Sequence, residues 1–245
     1  MVTMPFTSIA DPKAVTTTKR HTLGHIGVDG GGRFYRYAFS GEAIGAGQII
    51  MQKIGQANND ADLALSVAAA IGDLTVTVTL GATAVTLDQY ADGYLYVNDV
   101  VGEGHAYRIK GHPAAALSAN VVITLYDGEG ISEALNTTTT QVGLMENAYK
   151  DVEIWDADDI DGSCLGVAVS EVADNRYFWA GVSGDFPTLI QGTVTIGEAV
   201  MPSNGTDGAV EAADFAGAVE SMILGQATLI ANADTEYGMI RWSIL

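Results

Sequence analysis

The segment from Leu74 to Leu80 alternates aliphatic and threonine side chains at every position, and this pattern constrains the fold more than any other feature of the chain. Successive side chains of a β-strand point to opposite faces, so a strict alternation buries one face and leaves the other in water. Gly81 follows the segment and favours a turn. The sequence therefore predicts an amphipathic strand here, in a sheet with one face turned towards a core.

A similar rhythm of strands and turns runs along most of the chain. The 29 glycines, with abundant Thr and Val, fit strands and tight turns better than helices. Segments 33–39 and 48–51 are predicted to pair as a hairpin across a Gly-rich turn. Further strands are predicted at 93–97, 105–109, 121–126, 166–169, 177–182, 192–196, 221–227 and 237–245.

One helix, or a short helical turn, is predicted at residues 57–71. Leu63, Val67 and either Ala70 or Ile71 fall on one face at helical spacing. Asn58 or Asn59 could cap its first turn. The predicted fold class is therefore mostly β, with antiparallel β-barrel or sandwich units, an extended N-terminal arm and one short helix.

Breaks in the pattern predict four parts of the chain. Residues 1–32 form the extended arm, because prolines, a Thr run and the GVDGGG stretch leave no periodic apolar face. We expect this arm to become ordered only on contact. Residues 33–135 form a first β domain, residues 136–163 an acidic linker or loop excursion, and residues 164–245 a second, barrel-like domain.

Charge is divided unevenly between the arm and the rest. Residues 1–53 hold six of the 11 basic side chains and three acids, whereas the other 192 residues hold 27 acids and five bases. This division predicts an arm that lies on the acidic surface of an identical neighbour or of another protein shell. The bases expected to make that contact, with no catalytic role, are Lys13, Lys19, Arg20, Arg33 and Arg36.

Composition also bears on partners and compartment. A net charge of −19 repels nucleic acid, so we expect no nucleic-acid partner. No apolar run reaches the roughly 18–20 residues that cross a bilayer, so we expect no membrane partner. The N-terminus does not read as a secretory signal. Cys164 is the single cysteine, which excludes an intramolecular disulfide and fits synthesis in a reducing cytoplasm.

Candidate metal and catalytic motifs are weak. His21 and His25 are four residues apart, but no third ligand accompanies them. The acidic run 156–161 departs from calcium-loop register, since its fifth position is Ile160 and its twelfth is Val167. A nucleophile elbow is lacking, and Cys164 precedes apolar residues and suits a small core position. We therefore expect no metal, no cofactor and no enzymatic activity.

Two aromatic clusters remain, at residues 34–39 and 177–179. Core packing is favoured over an interface for both, because neighbouring strand positions must fill one face or the other. The consecutive Tyr177, Phe178 and Trp179 cannot all lie on one face of a strand. At least one of these rings must therefore contact a second layer or a partner.

Several segments resemble virion proteins of tailed bacteriophages that are encoded close to the major capsid protein. They are GRFYRYAFSGEAIGAGQ at 32–48, LGATAVTLDQYADGYLYVNDVVGEGHAYRIKGHPAAA at 80–116, NRYFWAGVSGDFPTLIQGTVTIGEAV at 175–200 and DTEYGMIRWSIL at 234–245. The C-terminal half is also similar in style to small β-barrel head-decoration proteins.

This resemblance implies a capsid decoration, or cement, protein. Its implied partners are the major capsid protein and other copies of the chain, as a homotrimer at local threefold positions. Its implied place is the capsid surface of a virion, after synthesis in the host bacterial cytoplasm. Two alternatives stay open: a tail or fibre-associated module that binds glycans, and a carbohydrate-active enzyme.

Overall fold

The computed structural model describes residues 6–53, 58–158, 162–214, 222–229 and 234–244. Within these ranges the chain forms strands and turns and no helix, so the mostly-β prediction is confirmed. The strands are β1 (Thr7–Ser8), β2 (Ile26–Val28), β3 (Phe34–Phe39), β4 (Ile49–Met51), β5 (Leu63–Val67), β6 (Thr75–Thr79), β7 (Tyr94–Asp99), β8 (Ala106–Gly111), β9 (Asn120–Leu125), β10 (Gln141–Met145), β11 (Glu153–Ile154), β12 (Cys164–Ala168), β13 (Tyr177–Ile190), β14 (Ala199–Pro202), β15 (Val210–Ala212), β16 (Gly225–Leu229) and β17 (Glu236–Ser243).

The chain divides into two compact units, and one is inserted within the sequence of the other. The first unit comprises Met1–Ile54 and Ala148–Leu245, and the second comprises Gly55–Asn147. This division differs from the linear order expected from the sequence. The stretch expected to be a linker, 136–163, instead supplies β10 to the second unit and β11 to the first.

The second unit is a closed six-stranded barrel in the order β10-β5-β6-β9-β8-β7, with β7 pairing back to β10. Every neighbouring pair is antiparallel. The alternating segment 74–80 contains β6, where Val76 and Val78 are buried and Thr75 is exposed. Leu95, Ile109 and other alternate residues complete one continuous apolar core. Strand closure leaves this barrel without an open sheet edge.

The helix predicted at 57–71 is wrong, because part of that segment is strand β5. Leu63 and Leu65 are buried and Ala64 is exposed, which is the period of a strand. Leu63 and Leu65 are two residues apart, as in a strand, and Leu63 and Val67 are four apart, as in a helix. The apolar pattern alone therefore does not decide between the two structures. The strand wins because β6 and β10 each pair with β5, which closes the barrel. Asn59 is buried and bonds Gly81 N and Thr83 O through its side chain.

We expect the barrel to fold alone, because it has its own core and closes on itself. A fragment of residues 55–147 should unfold cooperatively in urea, with coincident transitions by circular dichroism and tyrosine fluorescence. A fragment of residues 33–135, bounded as the sequence suggests, lacks β10 and its buried Val142 and Leu144 and should show no such transition. Cooperative unfolding of fragment 33–135 would contradict the assignment of the barrel to residues 55–147. A lack of cooperative unfolding in fragment 55–147 would contradict it too.

The first unit is built around the long strand β13. Its N-terminal half pairs antiparallel with β3, and its C-terminal half pairs antiparallel with β17. The sheet runs in the order β1-β2-β3-β13-β15-β14-β16-β17, with β4, β11 and β12 joined to it off this path. Apolar side chains cover both faces of β13, so each half of the strand is fixed by packing as well as by pairing.

The two aromatic clusters meet across β3 and β13, where Trp179 lies opposite Tyr37. Trp179 and Tyr37 belong to the larger core, which also contains Phe186 and Trp242. Phe178 points to the other face and packs in a second cluster of buried residues. The prediction that the three consecutive rings must divide between two faces is confirmed.

Two strand predictions in this unit are wrong. Strands β3 and β4 do not form a hairpin, since β3 pairs with β2 and β13 while β4 pairs with β11 and β12. All three side chains of β4 are buried, which places it in the interior and not beside a solvent-facing turn. Residues 192–196 form a loop, and the strand begins at Ala199 instead.

The described part of the expected arm is ordered against its own chain. Strand β2 pairs antiparallel with β3, and β1 pairs parallel with β2. Ile9 and Leu23 are buried. Gly27 permits this packing, since a Cβ at that position would overlap the side chains of Ile9 and Trp179. The expectation that this segment orders only on contact with a partner is therefore corrected for residues 6–32.

Candidate functional site

A cavity of about 250 Å³ lies in the first unit, between residues 7–21 and the aromatic residues of β3 and β13. Its polar lining includes Asp11, Thr16, Arg20 and His21, and its aromatic lining is Tyr37 and Trp179. Acid, base, hydroxyl and ring surfaces therefore meet in one small space. We define the N-terminal segment as residues 6–25, which forms the outer wall of this cavity.

The aromatic wall follows from the pairing of β3 with β13. The rings of Tyr37 and Trp179 lie 5.0 Å apart at an interplanar angle of 61°. Tyr37 also stacks on Tyr177, with centroids 5.7 Å apart at an angle of 6°. Edge-to-face and stacked pairs of this kind are favourable beyond the area that they bury. Both Tyr37 and Trp179 are almost fully buried, so they act as core and present little free ring surface.

His21 and His25 lie against this wall as a stacked pair. Their ring centroids are 5.2 Å apart and their planes differ by 9°. His21 also meets the edge of Tyr37 at 5.1 Å and lies 5.2 Å from Trp179. The sequence indicated the two histidines and the aromatic clusters separately. It held no signal that strand pairing would bring them together.

Backbone and side-chain hydrogen bonds fix the position of the pair. Gly24 has a φ of 76° and turns the chain so that its N–H donates to Tyr37 O, while Tyr37 N–H donates to His25 O. Nε2 of His25 lies 2.6 Å from Oγ1 of Thr7 in β1. Burial, together with the nearby His21, lowers the pKa of His25 below its ordinary value. A neutral imidazole is therefore the favoured form at this site.

The metal motifs of the sequence gain no further ligand in the structure. Among the described residues, no three His, Cys, Asp or Glu side chains are placed to hold one ion together. In the acidic run, Oδ1 of Asp156 accepts a hydrogen bond from Asp158 N, and residues 159–161 lie outside the described residues.

The five bases expected to make contacts separate into two groups. Lys13, Lys19 and Arg20 are exposed on the N-terminal segment, and Arg20 also lines the cavity. Arg33 and Arg36 are half-buried and make contacts within the chain. Arg36 donates through Nη1 to Gly24 O at 2.8 Å, and its guanidinium lies 6.0 Å from the ring of Tyr149.

Arg33 belongs to a loop organised around Asp29. The Asp29 carboxylate accepts from Nε of Arg33 at 2.8 Å, from the Tyr35 hydroxyl at 2.8 Å, and from the backbone N–H groups of Gly31 and Arg33 at 2.9 and 3.0 Å. Burial alone would raise the pKa of Asp29, but these bonds to its ionised form keep the pKa below its ordinary value. The GVDGGG stretch, which the sequence assigned to the extended arm, therefore forms a turn held by these bonds.

Cys164 is buried in the core of the first unit, as the sequence predicted. Burial raises the pKa of its thiol to about 12. A thiol is nucleophilic only when deprotonated, so this side chain is inert near neutral pH.

The described part of the chain contains no helix that is long and apolar enough to cross a membrane. Comparison of the chain with known protein families, with curated proteins and with solved structures gave no significant match.

Proposed function

We propose that this chain is a structural protein of a bacteriophage virion, which binds the outer surface of the capsid lattice and stabilises it as a decoration protein. Its partners in this proposal are the major capsid protein and other copies of itself, arranged as a homotrimer. Binding of many copies to a lattice would stabilise both by mass action, which needs a contact surface and no reaction.

The observation that carries the proposal is the position of the exposed bases. Lys13, Lys19 and Arg20 are exposed and lie within eight consecutive residues of the connection between β1 and β2, in a chain of net charge −19. Clustered basic side chains on an acidic protein attract acidic surfaces and repel basic ones. Copies of the same chain, or an acidic capsid surface, provide such a partner.

The outer face of the barrel supports a second contact. Val67 and Val122 flank Thr77 in register across β5, β6 and β9. The two valines are 57% and 42% exposed. Two exposed valines at neighbouring positions of a regular sheet add a small apolar surface, which we propose contributes to contacts with the capsid.

The proposal predicts that reversing the three exposed bases weakens attachment. The variant Lys13→Glu/Lys19→Glu/Arg20→Glu should lower capsid occupancy at physiological salt by roughly tenfold or more, since each exposed ion pair contributes up to about 1 kcal/mol. Occupancy is measured by sedimenting stripped capsids with purified protein. Wild-type binding should also weaken as salt rises.

The matched control is Lys53→Glu/Lys110→Glu/Arg241→Glu, which makes the same charge change at exposed bases outside the N-terminal segment. It should bind nearly as well as the wild type, and circular dichroism should show that both variants are folded. Equal binding by the wild type and the N-terminal variant would remove the charge argument.

A second candidate function is glycan binding by a tail or fibre-associated module. The cavity favours it, because Asp11, Thr16 and Arg20 could bond sugar hydroxyls beside an aromatic wall. The near-complete burial of Tyr37 and Trp179 counts against it, since stacking on a sugar requires exposed ring surface. Binding on a glycan array that is lost in Arg20→Ala would favour this candidate, and no binding would remove it.

A further inference from the structure

The N-terminal segment is held to its sheet by short, separate pairings. Strand β1 has two residues, Ile9 N–H then donates to Val28 O, and the next backbone pairing along the segment is the bridge between Thr16 and Tyr177. Between these points Ile9 and Val15 pack on buried clusters of the unit, and the cavity lies beside Ala10, Asp11 and Ala14. Segments with short pairings open at a lower free-energy cost than long paired strands.

The stacked histidines lie at the centre of this contact. The ring of His21, which belongs to the segment, is enclosed by His25, Tyr37 and Trp179. His25 also joins β1 through its contact with Thr7. Two imidazolium rings stacked 5.2 Å apart would repel each other, so the arrangement requires at least one neutral ring.

The charged groups around the pair come from the segment and from β3. On the segment, Lys19 is exposed, and Asp11 and Arg20 line the cavity together with His21. From β3, Tyr37 packs on His21, and Arg36 bonds Gly24 O next to His25. The β13 residues at the site, Tyr177 and Trp179, carry no charge near neutral pH, and β2 has no ionisable side chain. Beside burial, the neighbour that lowers the pKa of His25 is His21.

We propose that His25, stacked on His21, forms an acid-sensitive clasp: the segment is docked while the His25 ring is neutral, and residues 6–21 leave the sheet when that ring is protonated. The lowered pKa of His25 agrees with this direction. A histidine whose pKa is lower in the folded protein stabilises the docked state fully above its ordinary value of 6.5, and this stabilisation falls as the pH drops below that value.

Release would convert a docked segment into a mobile basic arm. Lys13, Lys19 and Arg20 would move with it, and the faces of Tyr37 and Trp179 that line the cavity would become accessible. Such an arm could reach a neighbouring acidic surface that the docked segment cannot. The clasp is a property of the isolated chain and does not depend on the proposed capsid role.

Hydrogen exchange of the full chain at pH 7.5 and pH 5.0, corrected for intrinsic exchange rates, tests the clasp. The amides of Ile9 and Thr16 donate to Val28 O and Tyr177 O when the segment is docked. We expect their protection to be lower at pH 5.0 than at pH 7.5, because a pKa that is lower in the docked state makes docking weaken as the pH falls. Protection of β6 in the barrel should stay constant.

The variant His21→Gln/His25→Gln keeps polar side chains and removes both titrations, so its protection at Ile9 and Thr16 should be independent of pH. The matched control His105→Gln, in the barrel, should behave as the wild type. Unchanged wild-type protection at pH 5.0 would overturn the proposal. Retained pH dependence in the double variant would also overturn it, since another group would then be responsible.

A measurement on the wild type alone covers the case in which the double variant does not fold. Nuclear magnetic resonance of the imidazole carbons should show His25 titrating below 6.5, together with the loss of Ile9 protection. A His25 ring that titrates at or above 6.5, with Ile9 still protected, would contradict the clasp.

Discussion

Replacing Trp242 by alanine should lower the free energy of unfolding of the first unit by about 3–5 kcal/mol, the usual range for a large aromatic side chain removed from a core. Trp242 is 1% exposed and packs among the buried side chains of the larger core. Its Nε1–H also donates to Oγ1 of the buried Thr188 at 3.1 Å. The substitution would therefore leave a cavity and remove a buried hydrogen bond together.

All three tryptophans of the chain, Trp155, Trp179 and Trp242, lie in the first unit, so tryptophan fluorescence during denaturation reports on that unit alone. The matched control is Tyr237→Ala, on the same strand but 54% exposed, which should cost about 0.5 kcal/mol or less. Comparable losses for the two variants would show that the core is not where the structure places it.

Replacing Asp29 by alanine should cost about 2–4 kcal/mol, because it removes the acceptor of four hydrogen bonds at once. The hydroxyl of the buried Tyr35 would lose its partner, and the Arg33 guanidinium would lose its carboxylate. Thermal or chemical unfolding at pH 7 measures the loss. The control Asp185→Ala removes an exposed carboxylate that pairs with Arg241, and it should cost no more than about 1 kcal/mol.

The Asp29 effect should depend on pH in one direction. Its pKa is lower in the folded protein, so its stabilisation is present above the ordinary value of 3.8 and is lost as the pH falls through the folded pKa. The difference between the wild type and Asp29→Ala should therefore shrink between pH 7 and pH 3. A difference that grows as the pH falls would contradict the assignment of an ionised Asp29.

Strands with strict alternation or with consecutive aromatic residues could be predicted from the sequence. Strand β6 was predicted because Val76 and Val78 alternate with threonines that remain in partial contact with water. The division of Tyr177, Phe178 and Trp179 between two faces followed from strand geometry alone, and the burial of Cys164 from its apolar neighbours.

Features that depend on pairing between distant segments could not be predicted from the sequence. Strand β5 was mistaken for a helix because Leu63 and Val67 are four residues apart, as on one helix face. In the strand Leu63 is buried and Val67 is exposed, and the pairing with β6 and β10 decides the structure. The inserted barrel depends on β10 pairing back to β7 across about 40 residues of chain. The same holds for the candidate site: Tyr37 and Trp179 are 142 positions apart in the sequence, so their shared contact with the histidine pair could not be predicted from it.

Charge patterning indicated a basic N-terminal stretch but not the contacts that each base makes within the chain. Arg33 and Arg36 belong to the same basic stretch as Lys13 and Lys19, yet they are engaged by Asp29 and by Gly24 O within the chain. Side-chain partners that arise from a turn or a strand register are invisible to a count of charges. Lys13, Lys19 and Arg20 are the exposed members of the five, and the proposed contact rests on their exposure.

Cryo-electron microscopy of the intact virion that carries this protein tests the central claim most directly. The proposal predicts density for both units in icosahedral register on the outer surface of the head, with the side that carries Lys13, Lys19 and Arg20 facing an acidic surface. Density confined to the tail, or no density for this chain in the particle, would contradict it.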